Sequence, residues 1–298
     1  MDYTLYLQDE DIDQEFTNLV GVIPGKDRSL PPLLLGAHYD SVINAPCADD
    51  NATSVALNLA IAEEFQHRSK DDPLQRDLII ALFDAEEPPY FNTTAMGSTR
   101  FHEDHCAGLD FAGVIVSDLI GHDLNLRDLG ITTPGAGILQ HRMGKTIFLL
   151  GAESDPVFPS IVEEAASSSK GINVFPTLNS YIGNMSDHHS FEQQGQPFLF
   201  LSCGMGRHYH QPEDDLTWIN FRKLANITRF VADLIERIDE KPGDRSRKSE
   251  ETVEFEIRMI KKAVGLAYPL LLKAAGVSKP SNRADLNRLV SSLSHSVG

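Results

Sequence analysis

The chain has 298 residues, 41% of them hydrophobic and 23% charged, and carries a formal charge of −17. That length can bury a large core in one α/β domain, and the composition describes a soluble globular chain rather than a disordered one. The acidic excess argues against nucleic acid or an anionic membrane surface as a partner. The longest uncharged apolar run, 263–272, is broken by Pro269 and is too short to span a bilayer. The start of the chain lacks the basic and apolar regions of a secretory signal. Its three cysteines, Cys47, Cys106 and Cys203, are odd in number and show no CxxC spacing. The expectation is a cytoplasmic, reducing setting with neither a disulfide framework nor a thiolate zinc site.

In chain order, residues 1–16 are polar and acidic and read as irregular. Strands are expected at 18–23 and 33–37, and a helix at 52–67, where Val55, Leu59, Ala62 and Phe65 recur at helical spacing. The next strand, 78–83, is apolar without alternation, as in a parallel strand covered on both faces. Together these make a βαβ unit. A Pro-Pro and aromatic insertion at 88–95 leads to a helix at 97–105 and a strand at 111–117. Residues 121–144 are glycine-rich and resist assignment. Beyond them come a strand at 145–150, a helix at 156–168, a strand at 173–178, a short helix opening at 186–191, a strand at 197–201 and a long amphipathic helix at 216–238. The charged stretch 239–251 reads as a linker. The division is therefore a main domain at 1–240 and a helical tail at 252–298, with helices at 252–275 and 282–293 that serve packing or homo-oligomer formation.

Metal-type ligands gather at the strand ends. His38, Glu87 and Asp118 follow buried strands directly, His210 lies soon after another, and Asp50 opens a helix after a strand-end loop. In open α/β sheets ligands bind beyond these ends. Two imidazoles and three carboxylates suit Zn²⁺, and five ligands exceed what one catalytic zinc takes. They fit two ions roughly 3.5–4 Å apart that hold a hydroxide and polarise a carbonyl. Glu86 is then the spare carboxylate able to take a proton. Asp40, two residues after His38, is placed to accept the second imidazole N–H. Each residue alone has a plainer reading: His38 as a core histidine, Asp50 as a helix cap, Asp118 as a strand-end carboxylate. His188, His189 and His208 rival His210, and spacing does not rank them.

The runs GAHYDS (36–41), ADDN (48–51), FDAEE (83–87), MGS (96–98), SDLIG (117–121), SDHHSF (186–191) and YHQPEDD (209–215) resemble the co-catalytic dizinc aminopeptidases. That family includes bacterial leucyl aminopeptidases and shares its fold with the glutaminyl cyclases. The resemblance covers residues 18–238. It implies a mixed, mostly parallel sheet flanked by helices, of the zinc-exopeptidase (phosphorylase/hydrolase-like) kind, here with a C-terminal helical appendage. It also implies zinc on His38, Asp50, Glu87, Asp118 and His210, with Asp50 bridging, Glu86 as general base and Asp40 behind His38. The expected activity is removal of N-terminal residues from a peptide or small aminoacyl substrate, with two zinc ions per chain. The alternatives are a glutaminyl-peptide cyclotransferase with one zinc on Asp50, Glu87 and His210, in which Glu86, Asp118 and Asp187 move the proton, and a non-catalytic binding protein of the same fold. Three features depart from the family. The 88–95 insertion is long, little chain precedes the first strand, and the aromatic hydroxyl that some members place before SDH has no match, with Tyr181 a nearby substitute.

Overall fold

The computed structural model of the protein describes residues 2–9, 12–42, 44–125, 136–241 and 252–294. The strands are β1 (Asp2–Asp9), β2 (Ile12–Ile23), β3 (Leu33–His38), β4 (Leu78–Phe83), β5 (Gly113–Asp118), β6 (Thr146–Leu150), β7 (Asn173–Thr177) and β8 (Phe198–Ser202). The helices are α1 (Thr53–Arg68), α2 (Gly97–His105), α3 (Ala136–Met143), α4 (Phe158–Ser168), α5 (His188–Glu192), α6 (Phe221–Glu240), α7 (Val253–Val264), α8 (Tyr268–Ala274) and α9 (Arg283–Ser294). The strands form one mixed sheet in the order β1-β2-β4-β3-β5-β8-β6-β7.

The four central strands, β4, β3, β5 and β8, are mutually parallel. Their apolar runs supply both sheet faces by period-two alternation. Leu33, Leu35, Leu78, Ile80, Ile115, Leu199 and Leu201 enter one core with residues of α1, α4 and α6. Leu34, Ala81, Phe83, Val114, Val116, Phe198 and Phe200 enter a second core with Phe101 and Phe191 from α2 and α5. From β3 the chain crosses to β4 on one side, and from β4 it crosses back over β3 to β5. Right-handed crossovers in opposite directions put α1 and α2 on opposite faces. The carboxyl end of β3 is therefore a topological switch point.

Several expectations change. Residues 2–9 and 12–16 are not irregular: β1 and β2 pair antiparallel from Asp2↔Leu19 to Asp9↔Ile12 and extend the sheet edge. Their alternating Tyr3, Leu5 and Leu7 is a strand pattern that the flanking acidic residues obscure. The helix expected from 216 begins at Phe221, because the Asn220 side chain accepts the Lys223 N–H at 3.0 Å and caps it there. Asp239, expected in the linker, is buried on α6, where its carboxylate pairs with Arg76 at 3.2 Å and accepts the backbone N–H of Gln75 and Arg76. Residues 242–251 of that linker and 126–135 of the glycine-rich stretch lie outside the described residues. The helix expected across 252–275 divides at Gly265, whose φ of 60° ends α7. The tail packs on the sheet edge, with Val253, Ile260, Val264, Leu286 and Leu289 around Phe175 of β7.

Candidate metal centre

All the expected ligands lie at one edge of the sheet, beyond the central parallel strands. His38 is the last residue of β3 and Asp118 the last of β5. Glu86 and Glu87 follow β4, Asp50 lies in the Ala48–Ala52 turn that leads from β3 into α1, and His210 follows β8. Local backbone sets their direction. Among the described residues, six that are not glycine have positive φ: Asn44, Cys47, Ala85, Asn92, Leu119 and His210. Asparagine tolerates this conformation, but for the others it costs about 1–3 kcal/mol each. Ala85 precedes Glu86, Leu119 follows Asp118, and Cys47 opens the turn that holds Asp50. The strain is concentrated where the chain must aim a ligand.

The strand end after β4 is pinned from both sides. Asp84 accepts the Thr17 N–H at 2.9 Å and donates its own N–H to Asn18 Oδ1 at 2.9 Å. Asn18 Nδ2 in turn donates to the Gly97 carbonyl at 2.8 Å. A Cβ at Gly97 would sit 2.3 Å from the Asp84 carbonyl oxygen, so the glycine of the MGS motif lets α2 start against this turn. The 88–95 insertion folds as tight turns from Glu87 and reaches Asn184 through Asn92 Nδ2 at 3.2 Å.

The geometry is two-sided. Asp50 Oδ1 lies 3.4 Å from His38 Nε2, which is 3.6 Å from Asp118 Oδ1 and 3.9 Å from Glu86 Oε2. Asp50 Oδ2 lies 3.2 Å from His210 Nε2, which is 3.0 Å from Glu87 Oε2. These are contacts without hydrogen-bond geometry. His38 Nε2, Asp50 Oδ2, Glu87 Oε1, Asp118 Oδ1 and His210 Nε2 are all buried with no hydrogen-bond partner. Donors bonded to one tetrahedral zinc at 2.0–2.1 Å are about 3.3 Å apart. Orphaned buried donors cost free energy unless a cation satisfies them, so the residues present fit zinc.

Electrostatics agree. Burial pushes Glu86 well above the usual carboxylate range, His38 pulls it down, and Asp118, Asp187 and Glu87 push it up again. Burial and the Asp50 charge raise Glu87 to about 7. Burial alone would lower His38, but Glu86, Asp118, Asp40 and Asp50 carry it well above its ordinary value. The cluster holds more negative charge than its own imidazoles balance.

Asp40 does more than face His38. His38 Nδ1 is 3.3 Å from the Asp40 carbonyl and 3.4 Å from its carboxylate, which also accepts the Glu86 and Glu87 backbone N–H groups at 3.2 and 3.0 Å. The rival histidines separate cleanly. His188 is buried and stacks on Phe200 at 4.1 Å, and burial lowers it to about 4. His189 pairs with Glu192 on the outside of α5. His208 turns away to Asp49, and only His210 enters the ligand cluster. Tyr181 is not the missing hydroxyl, because it bonds Asn287 of α9. Tyr209 is better placed. It stacks on His210 at 3.8 Å, and burial together with the charges of Asp50, Asp118, Glu87 and Glu86 holds its hydroxyl protonated.

Sequence reasoning gave no role to Asp49. It is fully buried, its carboxylate bonds His122 and His208, and these bonds hold it well below the ordinary range against the opposing effect of burial. The doubled aspartate of ADDN was its signal. Asp187 was named only for the cyclase reading. It is fully buried, raised to about 7 by burial, and neither carboxylate oxygen has a hydrogen-bond partner.

The chain is 27% identical to the uncharacterised protein YfbL of Escherichia coli over 223 residues, covering 69% of this chain and 66% of that one. The structure resembles BSAP, a zinc aminopeptidase from Bacillus subtilis, with a TM-score of 0.57 and 19% identity, covering 80% of this chain and 53% of that one. It also resembles the glutaminyl cyclase of Porphyromonas gingivalis, with a TM-score of 0.59 and 18% identity, covering 80% of this chain and 83% of that one. The chain thus spans less than two thirds of YfbL and about half of BSAP. At these identities the two solved structures speak for the fold. The profile of peptidase family M28 matches residues 18–235, and by that match over most of its length this chain belongs to peptidase family M28.

Proposed function

We propose that the protein is a zinc-dependent exopeptidase that removes the N-terminal residue of a peptide; His38, Asp118 and Asp50 would hold one ion, and His210, Glu87 and Asp50 a second. The observation that carries this is the division of Asp50, whose two oxygens face two different histidines. Zinc when bound supplies a Lewis acid that polarises the scissile carbonyl and acidifies water. The protein's own groups supply the rest. Glu86, buried beside the ligands, takes a proton from the attacking water and returns it to the leaving amine. Tyr209, held protonated beside the carboxylates, donates to the carbonyl oxygen as it gains charge. Asp40 fixes the tautomer of His38 and the position of Glu86 and Glu87.

The cyclase reading has one observation in its favour: Asp187 stands unpaired near Glu86 and Asp118, where a proton network would run. Metal stoichiometry separates the two readings, with two zinc ions per chain supporting the peptidase and one the cyclase. The decisive experiment measures zinc per chain and hydrolysis of a panel of aminoacyl anilides by the wild type and by Glu86→Ala. Glu86→Ala is expected to keep its zinc and lose at least ~10² in kcat. Full activity in that variant would remove the mechanism.

A further inference from the structure

Behind the ligand cluster lies a second buried polar group. Asp49 Oδ1 accepts the Gly121 N–H at 2.7 Å. Asp49 Oδ2 lies 2.6 Å from His122 Nδ1 and 3.1 Å from His208 Nε2. All three residues are at most 3% exposed. The arms of this group begin on different loops. Asp49 adjoins Asp50, Gly121 and His122 lie three and four residues beyond Asp118, and His208 lies two residues before His210. Three expected ligands, far apart in sequence, are thus tied at one carboxylate.

The surroundings hold each arm. Asp214 accepts the N–H of Asp49 at 3.0 Å and of Asp50 at 3.1 Å. Lys223 Nζ donates to the His122 carbonyl at 2.7 Å. The His208 ring stacks on Trp218 at 4.9 Å, and the Arg207 guanidinium lies over the Trp218 ring at 4.6 Å. A Cβ at Gly121 would sit 2.7 Å from Asp49 Oδ1 and 2.5 Å from Thr53 Cγ2, so only glycine allows that loop to approach. The separations from Asp49 to the two rings are those of hydrogen bonds, and the remaining oxygen is satisfied by Gly121. Bonds of these lengths from three loops to one carboxylate give the group the geometry of a clamp.

We infer that Asp49, His122 and His208 are positioning residues, which set the separation of Asp50, Asp118 and His210 and so the affinity of the metal centre. The inference rests on the metal reading above. Two aspartates divide the ligands: Asp40 contacts His38 and the Glu87 N–H directly, and the fully buried Asp49 acts on the other three through Gly121, His122 and His208 beside them.

Ring chemistry supplies the test. A glutamine amide nitrogen can take the place of Nε2, and an asparagine amide nitrogen that of Nδ1. Zinc affinity is measured by competition with a chromophoric chelator, alongside the melting temperature of the metal-free protein. The proteins compared are the wild type, His208→Ala, His208→Gln, His122→Ala and His122→Asn. The alanine variants should bind zinc about 10- to 100-fold more weakly, the range for lost outer partners of metal ligands. The amide variants should recover most of that loss, and the cobalt-substituted alanine variants should show a changed visible spectrum. Zinc affinity equal to wild type in both alanine variants, with only a lowered metal-free melting temperature, makes the group structural and overturns the clamp. An additional ion per wild-type chain that His208→Ala loses overturns it in favour of a separate metal site. If the wild type binds no zinc, the metal reading itself fails, which is a different result from either.

Discussion

The Asp40 carboxylate accepts the Glu87 backbone N–H at 3.0 Å, so a residue after one strand sets where the chain after its neighbour turns. The adjacent Glu86 N–H reaches the other oxygen at 3.2 Å. Asp40→Asn keeps the shape but offers only one acceptor, and its amide then opposes one of the two N–H groups. The variant should lose about 10- to 100-fold in zinc affinity, the scale of lost outer partners, with little change in the melting of the metal-free protein. A chelator titration beside a melting curve checks this. Unchanged zinc affinity would deny Asp40 its placing role.

The pH behaviour of the metal-free protein should run opposite to that expected from metal loss alone. Glu87 and Asp187 are raised to about 7, and His38 and His210 are also raised. For all four the folded chain binds protons that the unfolded chain has already released, so stability falls as pH rises. For the two carboxyls that fall should span roughly pH 4 to 7, between their ordinary values and those held in the fold, and for the two imidazoles it should begin near ~6.5. Zinc does the reverse, since protons compete with it for the same atoms. The gap between zinc-loaded and chelated melting temperatures should therefore widen as pH rises from about 5 to about 7.5. Melting series with zinc and with chelator measure it. Identical curves at neutral pH would mean that these residues hold no metal.

Tyr209→Phe removes a hydroxyl and leaves the ring that stacks on His210. If that hydroxyl meets the developing charge, kcat should fall roughly 10²-fold while KM and zinc content change little, as for loss of one oxyanion donor. Tyr181→Phe, whose hydroxyl is committed to Asn287, should leave kcat near wild type. Equal effects of the two substitutions would count against Tyr209.

The pair Arg76 and Asp239 should matter to stability alone. Arg76 is 3% exposed and Asp239 6%, and their contact joins the end of α6 to the entry of β4. Asp239→Ala leaves the buried guanidinium without its counter-charge, with only the Pro31 and residue-239 carbonyls still accepting from it, which costs about 3–5 kcal/mol. That is a large share of the 5–15 kcal/mol typical of a folded domain. Urea unfolding measures the loss. A change below about 1 kcal/mol would show that solvent or another acceptor reaches Arg76.

Much of the site could be read before the fold. Unbroken apolar runs such as 78–83 announce strands covered on both faces, and the residue types that follow them, His38, Glu87 and Asp118, need no tertiary information to stand out. Strands 2–9 and 12–16 are harder to read, because charge surrounds their weak alternation and only their pairing with each other makes them strands.

By itself the sequence determined chemical types, periodicities and the places where strands end, because these depend on neighbours within a few residues. Only the tertiary structure decided which chemically equal groups meet. His188, His208 and His210 have the same ring, yet one packs on Phe200, one bonds Asp49 and one faces Asp50. Tyr181 and Tyr209 have the same side chain, yet one bonds Asn287 of α9 and the other stacks on His210. These choices follow from strand order and from loops that close over many residues. Local pattern carries no record of such contacts, since the energy that selects them exists only once the sheet has assembled.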